Sequence, residues 1–133
     1  FKDHLQLRNG QQVHFELGRS VVAQCGTLIS RVLYVKHGHK KDFVIVDAGM
    51  SDLLRPALYG SAHQARNLSH PEAPSARFDI VGPICESSDV FLSDYTLPSP
   101  QRGDLIAFKS AGAYGEIMAS GYNCRQLPES WID

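Results

Sequence analysis

A thiol and a carboxylate stand side by side in Gly82-Pro83-Ile84-Cys85-Glu86-Ser87-Ser88-Asp89. The apolar runs Ile80-Val81 and Val90-Phe91-Leu92 flank this polar segment, which therefore reads as a junction between two strands. A free thiol, with a pKa near about 8.5, is mostly protonated at neutral pH and can give up a proton. An adjacent carboxylate can hold a cation or take part in proton transfer. The same pair also fits a buried apolar thiol beside a solvated turn acid, because free cysteine is among the most buried residue types. The choice depends on what else the chain places nearby.

Three other stretches carry candidate groups. Val13–Glu16 reads as a short strand, and Leu17-Gly18-Arg19-Ser20 turns away from it. Gly18 permits a tight turn with outward-facing amides, and Arg19 beside it suits a phosphate or a carboxylate; a purely structural turn reads the same way. Ser51 and Asp52 can cap one helical turn that Pro56 stops, and that turn puts Arg55 and Tyr59 on one side. Ala111-Gly112-Ala113-Tyr114-Gly115 is a turn of small residues around one large aromatic. His37-x-His39 is the only close histidine pair, lies in a Gly/Lys turn and is not read as a metal site.

The elements that position these groups are short. Val21–Ala23, Leu28–Val35, Phe43–Val46, Phe78–Ile84, Val90–Leu92, Asp104–Phe108 and Glu116–Ala119 read as strands bounded by Gly, Pro or polar residues. Leu28–Lys36 and Asp42–Asp47 form a hairpin, and the unbroken run Phe43–Val46 reads as a strand covered on both faces. Residues 61–77 and 93–103 read as loops. About seven short strands with almost no helical periodicity predict an all-β sandwich or barrel-like domain.

The 133 residues fit one domain with a real core, and the apolar share of 43% with a charged share of 20% argues against disorder. A formal net charge of -1, with no basic cluster beyond Lys40-Lys41, argues against a nucleic-acid or anionic-membrane partner. No apolar run approaches the roughly 18 residues that span a bilayer, and no signal peptide is visible. Cys25, Cys85 and Cys124 are distant and odd in number, which predicts reduced thiols and a cytoplasmic location. The chain begins with Phe1, which predicts a piece of a longer protein.

Glu16-Leu17-Gly18-Arg19-Ser20, Asp47-Ala48-Gly49-Met50, Arg55-Pro56-Ala57-Leu58-Tyr59, Val81 to Asp89 and Gly112-Ala113-Tyr114-Gly115 follow one another in this order. Together they resemble the C-terminal part of the diaminopimelate decarboxylases, pyridoxal-phosphate enzymes of the alanine-racemase-like fold type III. The resemblance runs from about Val13 to Arg125. It implies a β-sandwich or Greek-key barrel-like domain over residues 17–133, preceded over residues 1–16 by the last helix and strand of a β/α barrel. The barrel's cofactor lysine has no counterpart here, since no Lys lies in a matching motif, and the fragment alone is expected to be inactive.

Residue by residue, the resemblance implies that Glu16, Leu17, Gly18 and Arg19 lie against pyridoxal 5'-phosphate, with amides around Gly18 on its phosphate. Leu17 replaces the family's usual Pro, which leaves an extra N–H and a freer φ. Tyr114 would touch both cofactor and substrate, and Arg19, Arg55, Tyr59 and Glu86 would hold the substrate. Cys85 would be the catalytic acid, giving a proton to Cα after carbon dioxide leaves, and with Glu86 it would enter the neighbouring subunit's site in a homodimer. The implied reaction converts meso-2,6-diaminopimelate to L-lysine in lysine biosynthesis.

Related decarboxylases of ornithine, arginine or carboxynorspermidine are alternatives, as is a non-catalytic β domain that serves dimerisation. A diamine-forming substrate would leave a buried Arg unpaired, which is costly. A Cys-His hydrolase lacks a recognisable nucleophile-base arrangement.

Overall fold

The hairpin expected from two β-rich runs around a Gly/Lys loop is the centre of the fold. The protein is described by a computed structural model over residues 3–132; Phe1, at the head of the segment read as the barrel end, lies outside the described residues. The strands are β1 (Thr27–His37), β2 (Asp42–Val46), β3 (Ala65–Asn67), β4 (Ser75–Val81), β5 (Val90–Pro98) and β6 (Leu105–Lys109). They form one six-stranded sheet in the order β3-β6-β1-β2-β4-β5. Every pairing is antiparallel except β2 with β4.

The sheet curls until its two edges nearly meet. There the Tyr95 hydroxyl lies 3.1 Å from both the amide and the carbonyl of Ala65, so a phenol joins β5 to β3 where no backbone ladder does. The result is a nearly closed, barrel-like sheet, as the strand count and turn pattern predicted. Its core is the inner face: Val44, Val46, Ile80, Ile106 and Phe108 are fully buried, and Phe91 stacks on Phe108 at 4.5 Å between ring centroids. β2 is covered less evenly than its apolar run implied, since Phe43 and Ile45 are only half-buried.

Aspartates hold the irregular places, Asp79 and Asp104 from buried positions and Asp42 from a half-exposed one. In the hairpin loop, Asp42 accepts from the Gly38 amide at 3.2 Å and lies 2.8 Å from His37 Nδ1. Where β4 and β5 slip register, Asp79 accepts from the Asp94 amide at 2.7 Å and from Lys41 Nζ at 2.8 Å. At the β3–β6 edge, Asp104 accepts from the Gln101 amide (2.9 Å) and Asn67 Nδ2 (3.2 Å), with His70 Nδ1 at 2.9 Å. Burial works against the charge of Asp104, but Gln101, His70 and Asn67 outweigh it and hold the carboxyl below the ordinary aspartate range. A depressed folded pKa contributes stability that is full above the unfolded value and is lost as pH falls through the folded one. Asp104→Asn is therefore expected to lower the melting temperature at pH 7 and to shrink its decline below about pH 4. Thermal melts across pH check this, and an unchanged midpoint at pH 7 would refute it.

Three expected strands are not strands. Val21–Ala23 falls in helix α1 (Arg19–Val22) and a 3-10 turn over Ala23–Cys25. Its backbone is used by the 111–112 turn: the Gly112 amide donates to the Ala23 carbonyl at 3.0 Å. Tertiary contact here overrides the β preference of Val. Glu116–Met118 is a 3-10 turn, and residues 13–16 make no strand because no strand among the described residues pairs with them. The 61–77 segment, read as a loop, contributes β3 and the start of β4. Among the described residues no helix is long and apolar enough to cross a membrane.

Candidate functional site

Helix α2 (Arg55–Tyr59) follows from its local sequence, although not as the capping pattern implied. Pro56 sits in its first turn, where a missing N–H costs nothing, so it starts the helix rather than stopping it. Gly60 ends it in the left-handed conformation at φ 61°, with its amide bonded to the Pro56 carbonyl at 2.9 Å. Asp52 does not cap α2; its Oδ2 accepts from the Gly49 amide at 2.7 Å and braces the turn after β2. That turn is anchored to β1 by Asp47, whose Oδ1 accepts from Ser30 Oγ (2.6 Å) and the Arg31 amide (2.8 Å).

Tyr114 arrives from the far end of the chain. The turn that carries it packs against residues 22–26 with no room for side chains: a Cβ on Gly112 would lie 2.2 Å from the Val22 carbonyl oxygen. Tyr114 itself has φ 62°, an uncommon conformation for a bulky residue. The turn delivers its ring to Arg55. The Arg55 guanidinium carbon lies 5.1 Å from the Tyr59 ring centroid and 5.4 Å from that of Tyr114. Both are cation–π distances. Gly112→Ala is expected to displace this turn and destabilise the fold by about 1–3 kcal/mol, as overpacking does. A melt of the Ala variant checks it.

Gly18 stands directly before α1 and Arg19 is its first residue. A Cβ on Gly18 would be 3.5 Å from the Tyr114 hydroxyl oxygen, so the phenol tip lies over this turn. Glu16, Leu17 and Arg19 are exposed, with Leu17 72% exposed. Thus Gly18, Tyr114, Arg55 and Tyr59 form one chain of neighbours, reached from three separate parts of the sequence.

Cys85 and Glu86 lie on a separate loop. Both are exposed, which removes the reading of Cys85 as a buried apolar thiol. Among the described residues Glu86 bonds within its own loop, with Ser87 Oγ at 3.3 Å and the Ser88 amide at 3.4 Å. Among the described residues no hydrogen bond or ring contact joins Cys85 or Glu86 to Arg55, Tyr59 or Tyr114. The loop does border them: Ser87 and Ser88 share a shallow groove with Pro56 and Ala57 of α2.

The loop's geometry is set by a residue to which the sequence attached no role. Asp89 is 3% exposed, and its carboxylate accepts from the Met50 amide at 2.6 Å and the Ile84 amide at 2.8 Å. Burial raises its carboxyl above the ordinary range, more than these two amides and Arg125 lower it. Arg125, from the chain's tail, also reaches the Asp47 carbonyl and, at 3.4 Å, Asp52. In the sequence, Asp89 looked like one more polar residue of a turn.

Chemically, the charges at this end are open. Among the described residues, Arg19 and Arg55 have no carboxylate partner and Glu86 has no cation. A guanidinium and a free phenol beside Gly18 fit an anionic group such as a phosphate. Among the described residues no lysine belongs to the cluster, so those residues suit the phosphate of pyridoxal phosphate and offer no amine for its aldehyde.

Comparison with known proteins gives the family and the fold. A family model described as "Pyridoxal-dependent decarboxylase, C-terminal sheet domain" matches residues 20–112. The chain is 61% identical over 131 residues to the diaminopimelate decarboxylase of Bacteroides thetaiotaomicron, covering 98% of this chain and 34% of that protein. The crystal structure of diaminopimelate decarboxylase from Helicobacter pylori complexed with L-lysine superimposes with a TM-score of 0.77 at 51% identity, over 84% of this chain and 28% of that one. A lysine/ornithine decarboxylase from Vibrio vulnificus, complexed with cadaverine, shares the fold with a TM-score of 0.71 at 21% identity, over 80% of this chain and 29% of that one. The chain thus spans about a third of the length, 34%, of the Bacteroides relative, and less of the two structures.

Proposed function

Because the chain belongs to the pyridoxal-dependent decarboxylases, as their C-terminal sheet domain, we propose that it forms part of an enzyme converting meso-2,6-diaminopimelate to L-lysine and carbon dioxide. The observation that carries this reading is Arg55: its guanidinium is held against two tyrosine rings and has no carboxylate of its own among the described residues. Such a fork is suited to the carboxylate at the far end of diaminopimelate. Ornithine has only an amine there and would leave Arg55 unpaired. The identity of 61% to a diaminopimelate decarboxylase, against 21% to the lysine/ornithine enzyme, favours the same substrate.

Pyridoxal phosphate, when bound, supplies the sink for the electron pair left as the carboxylate departs. Arg19, the turn at Gly18 and the Tyr114 hydroxyl would hold its phosphate, with Glu16 and Leu17 alongside; the nearness of the Tyr114 hydroxyl to Gly18 supports this. Arg55, Tyr59 and Tyr114 hold and orient the distal carboxylate, and Glu86 pairs with the distal ammonium. The Cys85 thiol holds the proton that Cα takes up once the carbon–carbon bond has broken, and it regains that proton from solvent. Cys85 and Glu86 are exposed on a loop of their own, which suits a homodimer in which they complete the partner subunit's site. Three free, exposed cysteines suit a reducing, cytoplasmic setting.

The test is carbon dioxide release by the complete enzyme that contains this chain, with meso-diaminopimelate and ornithine offered separately. Turnover of diaminopimelate alone is expected; turnover of ornithine alone would overturn the substrate. The isolated chain is expected to be inactive with both.

A further inference from the structure

Buried Asp89 sits between two features that the proposed reaction needs. Its Oδ2 accepts from the Ile84 amide, the residue before Cys85, at 2.8 Å, and its Oδ1 accepts from the Met50 amide at 2.6 Å. Its backbone closes the same loop: its amide donates to the Glu86 carbonyl at 3.0 Å and its carbonyl accepts from the Gly82 amide at 3.0 Å. Met50 belongs to the turn that leads into α2 and Arg55. One carboxylate therefore ties the Cys85-Glu86 loop to the segment presenting Arg55.

The surroundings are shaped for that carboxylate. A Cβ on Gly82 would lie 2.3 Å from Asp89 Oδ2 and 2.5 Å from Oδ1, closer than real contacts allow. A Cβ on Gly49 would lie 2.7 Å from Ile84 Cδ1 and 3.4 Å from Asp89 Oδ1. Two glycines thus keep a slot open, and the buried Ile84 side chain closes one side of it. Both anchored amides need an acceptor. Asparagine, with one oxygen and one NH2, would satisfy one amide and oppose the other.

We propose that Asp89 is a positioning residue: its carboxylate clamps the Cys85-Glu86 loop onto the turn at Met50 and so fixes the direction in which Cys85 and Glu86 are presented to the partner subunit's site. This rests on the reading of Cys85 as the proton donor. The test is Asp89→Asn in the complete holoenzyme, with two readouts. Turnover of meso-diaminopimelate is expected to fall about tenfold or more, because small displacements of a catalytic group are costly. The iodoacetamide alkylation rate of Cys85, followed by mass spectrometry of its peptide, is expected to change about threefold or more while Cys25 and Cys124 keep theirs. A general loss of stability would move all three thiols together, and such a uniform change, or an unchanged Cys85 rate, would overturn the proposal. Alkylation needs no turnover, so failure of the substrate reading would leave this arm decisive. If the variant does not fold, amide exchange in the unsubstituted holoenzyme decides. Met50 and Ile84 are expected to exchange about a hundredfold more slowly than Cys85, and equal rates would overturn the clamp.

Discussion

Cys85→Ala in the complete enzyme is expected to cut turnover of meso-diaminopimelate by about 10²–10⁴-fold, the range associated with loss of a positioned acid. Cofactor absorbance and melting temperature should stay at their unsubstituted values. The structure explains why these effects separate. The thiol is exposed and free, and its loop is held by Ile84 and Asp89 rather than by sulfur. Removing the sulfur leaves those bonds in place. Cys85→Ser should recover little, because a hydroxyl is a far weaker acid than a thiol. Stopped-flow and steady-state assays of carbon dioxide release measure the effect. Activity within about threefold of the unsubstituted enzyme would take Cys85 out of proton transfer.

Loss of the Arg55 fork should act on binding and choice of substrate rather than on the chemical step. Arg55→Ala is expected to raise KM for diaminopimelate by about 10–100-fold, the loss of charge-assisted hydrogen bonds, with a smaller change in kcat. Discrimination against ornithine should shrink by a similar factor, since the penalty for an unpaired guanidinium disappears. Arg55→Lys should restore only part of the affinity. It keeps the charge but loses the planar fork and the stacking on Tyr59 and Tyr114. Substrate-saturation curves for both amino acids settle the matter. An Ala variant with unchanged KM for diaminopimelate would show that the carboxylate is held elsewhere.

Legibility in the sequence followed the range of the interactions. The hairpin over residues 27–46 was readable because two β-rich runs flank a Gly/Lys loop, and local chemistry alone closes it through Asp42, Gly38 and His37. Val21–Ala23 misled because valine favours strands, yet that backbone bonds to a turn that comes late in the chain. Glu116–Ala119 misled for a different reason: its backbone closes locally, the Ala119 amide donating to the Glu116 carbonyl at 2.9 Å. Pro56 was read as a stop signal because proline breaks helix interiors; in the first turn of α2 it breaks nothing.

Residue types and order were enough to single out Gly18, Arg19, Arg55, Tyr59, Cys85, Glu86 and Tyr114, because each belongs to a motif with its own recognisable neighbours. Those motifs determined the family, and the short strands bounded by Gly, Pro and polar residues determined the barrel-like all-β class. Only the tertiary structure decided that Tyr114 lies over Gly18 and beside Arg55, since a turn free of Cβ atoms at Gly112 must first dock on residues 22–26. It also decided the state of the first motif considered. Cys85 is exposed rather than buried, and the residue that closes its loop, Asp89, is the buried one. Sequence cannot assign that exchange, because burial is set by which backbone amides a carboxylate meets after the chain has folded.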